Sequence, residues 1–312
     1  MISIIITSWK EPKSIGKSIK CIGDKKYSGL KEQFEIIQIS PDKETLDAGL
    51  KATMDLNLTK EEYVQIQDPH KGKPFALKMA IEKAKGDILI FTDGDTFFEK
   101  DAIKYLLEPF SDDRIGGVSG RPISIDSKED IFGYWGHLLS DAAHNRRVSV
   151  MNIQKENYFI SDKTFFPMSG YIMSMKNYKF DIPSNVLSDD AFLSYSIRNL
   201  NKQIAYAPLA KCYVKYPTNL KDYYKQKVRS LGGYIQLKNI GVFGKDKQSR
   251  SILIELKYTF YVIKYARNIK QFFWSLLLFP VRLLTWVKIF WERILLKKDM
   301  PKSGWERIES TK

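Results

Sequence analysis

A mostly parallel α/β sheet flanked by helices is the fold class that this chain predicts, and three observations carry it. Over residues 1–110, apolar β-branched runs alternate with helical patterns, the rhythm of strand–helix–strand units. Acidic residues follow those runs: Glu11, Asp42, Asp68 and the pair Asp93 and Asp95. In a parallel sheet they gather on the carboxyl edge, where ligands bind. The composition, 44% hydrophobic and 28% charged over 312 residues, is that of a globular chain with a sizeable core.

Residues 2–7 are the first strand, a β-branched run. Residues 14–21 read as a short helix, 34–39 as the second strand, 45–54 as a helix and 64–66 as a short third strand. Residues 73–85 are helical, with Leu77, Ala80, Ile81 and Ala84 on one face. A strand over 88–92 and a helix over 102–110 complete the regular part. Beyond residue 115 the pattern is less even. A strand over 116–120 has glycines that permit close backbone approach, and a strand over 166–175 is broken at Ser169-Gly170. A helix over 189–200 and a strand over 205–214 follow. There is no internal repeat or low-complexity linker. A soft boundary at residues 239–250 divides one domain, 1–240, with halves 1–110 and 111–240, from a tail over 250–312.

Cys21 and Cys212 follow no metal-ligand spacing and form no disulfide framework. They read as core residues in a reducing compartment. The chain enters its first strand without a basic leader, so no signal peptide is expected. The net charge is +14, with 15 Lys/Arg against 6 Asp/Glu from residue 245 to 312. The excess thus belongs mainly to one end, and it suggests an anionic partner. That end is rich in Phe, Trp, Tyr and Leu. Residues 272–291 have about the length a bilayer needs, but Arg282 and Lys288 lie inside them. Lys264, Asn268, Gln271, Ser275, Arg282, Thr285, Lys288 and Glu292 form one helical stripe with Leu278 as its gap. Phe273, Leu276, Leu277, Leu284, Val287 and Trp291 lie opposite. Such a helix, kinked or divided at Pro280, is expected to lie on a membrane surface rather than span it.

Four clusters carry chemistry. Asp93-Gly94-Asp95 closes the strand over 88–92. Alternation along an extended chain would send both carboxylates to one side. Read alone, the tripeptide is either an ordinary turn or an oxygen-ligand pair for a hard cation. Ser188-Asp189-Asp190 opens a helix, where the first Asp can cap and the second act as a general base. Lys71-Gly72-Lys73-Pro74 places basic residues at a helix N-terminus, suited to an anion. Gln226-Lys227-Val228-Arg229 precedes Gly232-Gly233, read as a flexible pair, and Arg229 suits a diphosphate.

In this order the clusters resemble the family-2 inverting glycosyltransferases of the GT-A fold, over about residues 1–235. Residues 4–11 resemble that family's first strand and its Pro-Thr-Tyr-Asn-Glu segment. Thr7 stands at the Pro, Trp9 at the Tyr and Glu11 at the Glu. Residues 35–42 resemble the second strand, with Asp42 as its acidic end, although Ser40-Pro41 replace the paired Asp. Gly72-Lys73 through Ala76-Leu77-Lys78 resembles Gly-Lys-x-x-Ala-Leu-Asn. Asp93-Gly94-Asp95 resembles the DxD motif, Ser169-Gly170-Tyr171 the loop near donor sugar and acceptor, and Ser188-Asp189-Asp190 the Glu-Asp motif. Gln226–Arg229 resembles the start of Gln-x-x-Arg-Trp. Ser230 replaces its Trp, which counts against a processive, cellulose-synthase-like role.

The resemblance implies a GT-A, Rossmann-like catalytic domain over 1–240 with a membrane-associated helical tail. Its implied reaction moves a sugar from a UDP- or GDP-sugar to a lipid phosphate or lipid-linked glycan on the cytoplasmic face of a membrane, where the enzyme is peripheral or monotopic. The donor half would use Thr7, Trp9, Glu11, Asp42, Lys73, Asp93, Asp95 and Arg229. Asp95 and Asp93 would hold Mg²⁺ or Mn²⁺, and Asp190 would be the base. Gly170, Tyr171, Asp189 and Gln226 would lie toward the acceptor. Residues 134–147, whose basic end is Arg146-Arg147, are expected to face an acceptor such as a lipid phosphate. His70, His137 and His144 share no ligand spacing and read as surface or hydrogen-bonded structural groups.

The rival readings are a metal-dependent sugar nucleotidyltransferase, a basic nucleic-acid-binding protein, and a non-catalytic sheet protein with a membrane anchor. No Gly-rich triphosphate loop lies near residues 6–14, and no helix-turn-helix, zinc or RNP-like pattern supports nucleic acid as a partner.

Overall fold

The computed structural model describes residues 1–161, 166–243, 259–291 and 308–311. Most of the expected boundary at 239–250 lies outside them, as do Glu292 and much of the basic tail. Four parallel strands, β1 (Ile2–Thr7), β2 (Phe34–Ser40), β3 (Tyr63–Gln67) and β4 (Ile88–Asp93), form one half of the sheet in the order β3-β2-β1-β4. Between them run α1 (Ile15–Gly23), the short α2 (Lys25–Ser28), α3 (Lys43–Met54) and α4 (Lys73–Lys83). The predicted helix over 102–110 is α5 (Ala102–Leu107) with a 3₁₀ turn, Glu108–Ser111, started at Pro109.

The second half mixes directions. β6 (Ile115–Ser124) runs parallel to β10 (Gln203–Val214), and β9 (Met173–Lys176) lies antiparallel between β4 and β6. The two-residue strands β5 (Phe97–Phe98), β7 (Ile153–Gln154) and β8 (Phe159–Ile160) complete ten strands in one sheet. The sheet is therefore mixed overall, with its parallel part confined to β1–β4 and the β6–β10 pair. The predicted strand over 166–175 is reduced to β9 and an isolated bridge between Ser169 and Ile172.

Pleat alternation decides which helices cover which face. Ile4 and Ile6 pack with Ile15, Ile19 and Ile22 of α1 and Ile103 and Leu106 of α5. Ile5, Ile37 and Ile39 point the other way, onto Ala76, Leu77, Ala80 and Ile81 of α4. The same layer holds Leu193 and Ile197 of α7 (Asp189–Asn199) and Leu237 of α8 (Leu220–Asn239). All of these side chains are buried, so each face of the sheet has its own core.

A third cluster lies outside this sandwich. Tyr134, Trp135 and Leu138 of α6 (Ile131–Val150) meet Tyr223 of α8, Val262 of α9 (Thr259–Lys264) and Leu278 of α10 (Ile269–Ile289). Sequence reading assigned no helix to residues 131–150. Gly232 and Gly233, read there as flexible, lie buried inside α8. A Cβ on Gly233 would stand 2.8 Å from the Ser188 Cβ, so the glycine serves close packing. Helix α10 contains Pro280. Among the described residues no helix is long and apolar enough to cross a membrane.

Candidate active site

Parallel pairing brings the strand ends into line: Thr7 is level with Ile39 on one side and Asp93 on the other. The residues after these strands therefore share one edge, as expected. At that edge the Thr7 hydroxyl donates to Asp93 Oδ1 at 2.8 Å, and Lys73 Nζ donates to the same oxygen at 2.6 Å. Strand β4 ends at Asp93, where Gly94 and Asp95 turn away; Gly94 N–H donates to Thr7 O at 2.9 Å. The alternation expected to run through Asp95 is thus corrected: a turn, not a strand, orients that carboxylate. A Cβ on Gly94 would lie 2.4 Å from Glu11 Oε2 and 2.8 Å from Ser8 Cβ. Only glycine lets this turn close against Glu11.

Lys73 reaches this edge because α4 starts there. Its N-cap, Gly72, has φ 96° and ψ 161°, a region open to glycine, and Pro74 fits the first turn that follows. The ammonium sits between two acidic groups, at 2.6 Å from Asp93 and 3.9 Å from Asp189. Burial alone would lower the Lys73 pKa, but Asp93 and Asp189 raise it above its ordinary value. Lys73 thereby couples the β4 end to the start of α7, a link that sequence spacing did not reveal.

At that start Ser188 is the N-cap position and its side chain makes no cap bond. Asp189 does not cap, contrary to expectation. It is 5% exposed and turned toward Lys73, and burial raises its carboxyl above the usual range despite the lysine. Asp190 is less buried and its two oxygens are separately oriented. Oδ1 accepts from Ser188 Oγ at 2.9 Å and Ala191 N at 2.8 Å, while Oδ2 accepts from Gly170 N at 3.3 Å. Asp190 therefore meets the Ser169–Tyr171 loop. Gln226 of α8 donates to the Tyr171 hydroxyl at 3.2 Å, and Thr92 Oγ1 donates to Tyr171 O at 3.0 Å. Arg229 lies one turn along α8, half-buried.

On the other side of Thr7, Asp42 caps α3. It accepts from Thr45 N at 2.9 Å, Lys10 N at 2.7 Å and Ser40 Oγ at 3.1 Å. Burial would raise its pKa, but these bonds hold it below its ordinary value. Glu11 N donates to Thr45 Oγ1 at 2.9 Å, and Trp9 packs edge-on against the His70 ring at 4.7 Å. The edge thus brings Thr7, Lys73, Asp93, Asp189 and Asp190 together by direct contact or through Lys73. Trp9, Glu11 and Asp42 stand beside it on the β1–α1 and β2–α3 connections.

Among the described residues no three or more His, Cys, Asp or Glu side chains are placed so that by themselves they could hold a metal ion. The edge offers Asp93 and Asp95, oxygen donors only. That suits a hard divalent ion bound through one or two carboxylates, with substrate phosphates completing its shell.

The chain matches a family model, glycosyltransferase like family 2, over residues 1–233. The poly-beta-1,6-N-acetyl-D-glucosamine synthase of Staphylococcus aureus is 26% identical over 177 residues, covering 55% of this chain and 41% of that protein. The chain thus spans well under half the length of that relative. A probable glycosyltransferase of Bacillus subtilis, YdaM, is 22% identical over 272 residues, covering 83% of this chain and 61% of that protein. The mannosyltransferase PcManGT from Pyrobaculum calidifontis, solved with GDP-Man and Mn²⁺, superposes with TM-score 0.62 at 15% identity, covering 96% of this chain and 88% of that one. GalNAc-T7, solved with UDP, GalNAc and Mn²⁺, gives TM-score 0.51 at 17% identity over 69% of this chain and 43% of that one. At these identities the two structures establish a shared fold.

Proposed function

The chain belongs to the glycosyltransferase like family 2, and from that premise we propose that it is an inverting enzyme using a nucleoside-diphosphate sugar as donor and a membrane-borne acceptor. The observation that carries this reading is the Asp93–Lys73–Asp189 bridge, with Asp190 next in the chain. It joins a strand end suited to a diphosphate to a carboxylate poised at a separate loop. The GDP-Man and UDP of the two similar structures support a nucleotide-sugar donor.

Thr7, Trp9, Glu11 and Asp42 line the donor side, and Arg229 adds a cation for the diphosphate. Asp95 and Asp93 would hold Mg²⁺ or Mn²⁺, which when bound neutralises charge on the leaving diphosphate. Asp190 Oδ2, held by Gly170 N–H, accepts the proton of the acceptor hydroxyl. The acceptor's hydroxyl oxygen, freed of that proton, bonds to the anomeric carbon from the face opposite the diphosphate. The carbon–oxygen bond to the diphosphate breaks, and a nucleoside diphosphate leaves. Lys73 keeps Asp93 and Asp189 from repelling each other. Gly170, Tyr171, Asp189 and Gln226 set the acceptor side.

A membrane surface is the proposed partner of α10. Its Ser275 and Thr285 face the protein, whereas Phe273, Leu277, Leu284 and Val287 are exposed. The free cysteines Cys21 and Cys212 suit the reducing, cytoplasmic side, with the enzyme peripheral or monotopic.

The test is incubation of the purified protein and Mg²⁺ or Mn²⁺ with a panel of UDP- and GDP-sugars plus membrane lipid extract, with products identified by mass. A glycosylated lipid and a released nucleoside diphosphate are expected. No transfer from any donor would overturn the reading. Pyrophosphate release from a nucleoside triphosphate and a sugar phosphate would make the chain a nucleotidyltransferase instead.

A further inference from the structure

The C-terminal half of α6 gathers cations that the donor site does not use. Arg147 is only 7% exposed. Its guanidinium lies over the Phe166 ring at 4.4 Å and the Tyr206 ring at 5.5 Å. Arg146 stacks on the same Phe166 ring at 4.9 Å. Arg121 enters from β6 and donates to Asp141 Oδ1 at 3.2 Å. Asp141 Oδ2 accepts from the Tyr261 hydroxyl and from Asn145 Nδ2, so both its oxygens are engaged. Asp126, the next acid in this region, is held by Ser124 Oγ and Tyr216 N at 2.9 and 2.8 Å. His144 bonds the Tyr206 hydroxyl at 2.7 Å. Burial pushes His144 down to about 4, and Arg121 and Arg147 push the same way against Asp141.

Three arginines thus share a partly buried region with engaged carboxylates. Concentrated positive charge of this kind is stabilised when an anion enters. Guanidiniums preset by aromatic stacking present planar forks that match phosphate oxygens. Contacts lead from this cluster in two directions. Tyr216 lies against Gly136 of α6, feels the charge of Arg147, and approaches the Tyr171 ring at 6.4 Å. On the other side Tyr261 belongs to α9, which packs on the buried, protein-facing side of α10 through Val262 and Leu278.

We propose that Arg146 and Arg147, with Arg121 behind them, hold a phosphate group of the acceptor. The site deepens the acceptor half of the proposed reaction and rests on that reading. Two sources share this chemistry: a phosphate borne on an alkyl chain, and a soluble phosphate.

Isothermal titration of the full chain with octyl phosphate and with inorganic phosphate separates them. Binding of octyl phosphate above that of inorganic phosphate supports the site with a lipid source. Equal binding supports the site with a soluble source. Arg146→Gln and Arg147→Lys should each weaken octyl phosphate by about tenfold, the size of one lost charge-assisted hydrogen bond. Both should keep the affinity for UDP or GDP with Mn²⁺. Arg146 is only half-buried, so its variant retains the fold if the Arg147 change does not. Absence of phosphate binding in the wild type, or unchanged binding in both variants, would overturn the proposal. Loss of nucleotide binding by the wild type would instead strike the donor reading.

Discussion

Asp190 and Asp189 are neighbours in sequence with different surroundings, and the contrast sets what each can do. Asp189 is buried against Lys73, while Asp190 has an oxygen directed at the Ser169–Tyr171 loop. Asp190→Asn keeps the shape and removes the base. It should lower kcat by about 10²–10⁴-fold with donor affinity retained, as measured by steady-state kinetics and nucleotide titration. Unchanged turnover would remove Asp190 from the proton transfer. Lys73 has a different weight: taking away one partner of a buried ion pair costs about 3–5 kcal/mol, so its variants would confound stability with catalysis. His144 offers a cleaner titration. Its folded pKa, about 4, lies below the ordinary value of 6.5, so the unfolded chain takes up the proton first as pH falls. Stability from this group is present above pH 6.5 and is lost between there and about 4. Thermal unfolding at pH 7.5 and 5.0 should show a drop in Tm that is smaller in His144→Gln.

Helix α10 reverses the usual amphipathic arrangement of a helix on a globular domain. Ser275 and Leu278 are fully buried and Thr285 nearly so, while Leu284 and Phe273 are 65% and 58% exposed. The Ser275 hydroxyl bonds Val262 O at 3.0 Å and shares a 2.7 Å bond with Tyr134, and Trp135 Nε1 donates to Trp274 O at 2.8 Å. These bonds hold Ser275 inside, while Phe273, Leu277 and Leu284 stay outward. Phe273→Lys with Leu284→Lys should leave Tm unchanged and abolish sedimentation with vesicles containing phosphatidylglycerol. If the variant still sediments, the face does not bind lipid. If the wild type instead elutes as a dimer that the variant breaks, a second copy covers it. The stripe expected from Lys264 to Glu292 does not hold as one inward face: Lys264 ends α9, and Lys264, Asn268 and Lys288 are exposed. The inward direction of Ser275 and Thr285 was not readable, because spacing shows two faces without showing what lies beside either. Helix α6 escaped reading for a related reason. It packs both on the sheet and under α9 and α10, so its buried residues do not form one stripe.

At the scale of the whole molecule, strand order brings distant segments together. The β1–β4 half was legible as alternating apolar runs and helices, and the carboxylates after those runs do share an edge. Antiparallel insertion of β9 between β4 and β6 was not legible, since strand direction depends on the connection and leaves no local pattern. That insertion sets Ile172 and Met173 between the two halves and places the Ser169–Tyr171 loop near Asp190. By itself the sequence determined the α/β class, the family and the acidic and basic residues available for chemistry, because these rest on periodicity and short motifs. Only the tertiary structure decided that Lys73 bridges Asp93 and Asp189, that Asp95 leaves a turn, and that Arg121 joins Arg146 and Arg147. Each of these contacts joins segments from different elements, and such proximity comes from sheet order and helix packing, which no local spacing encodes.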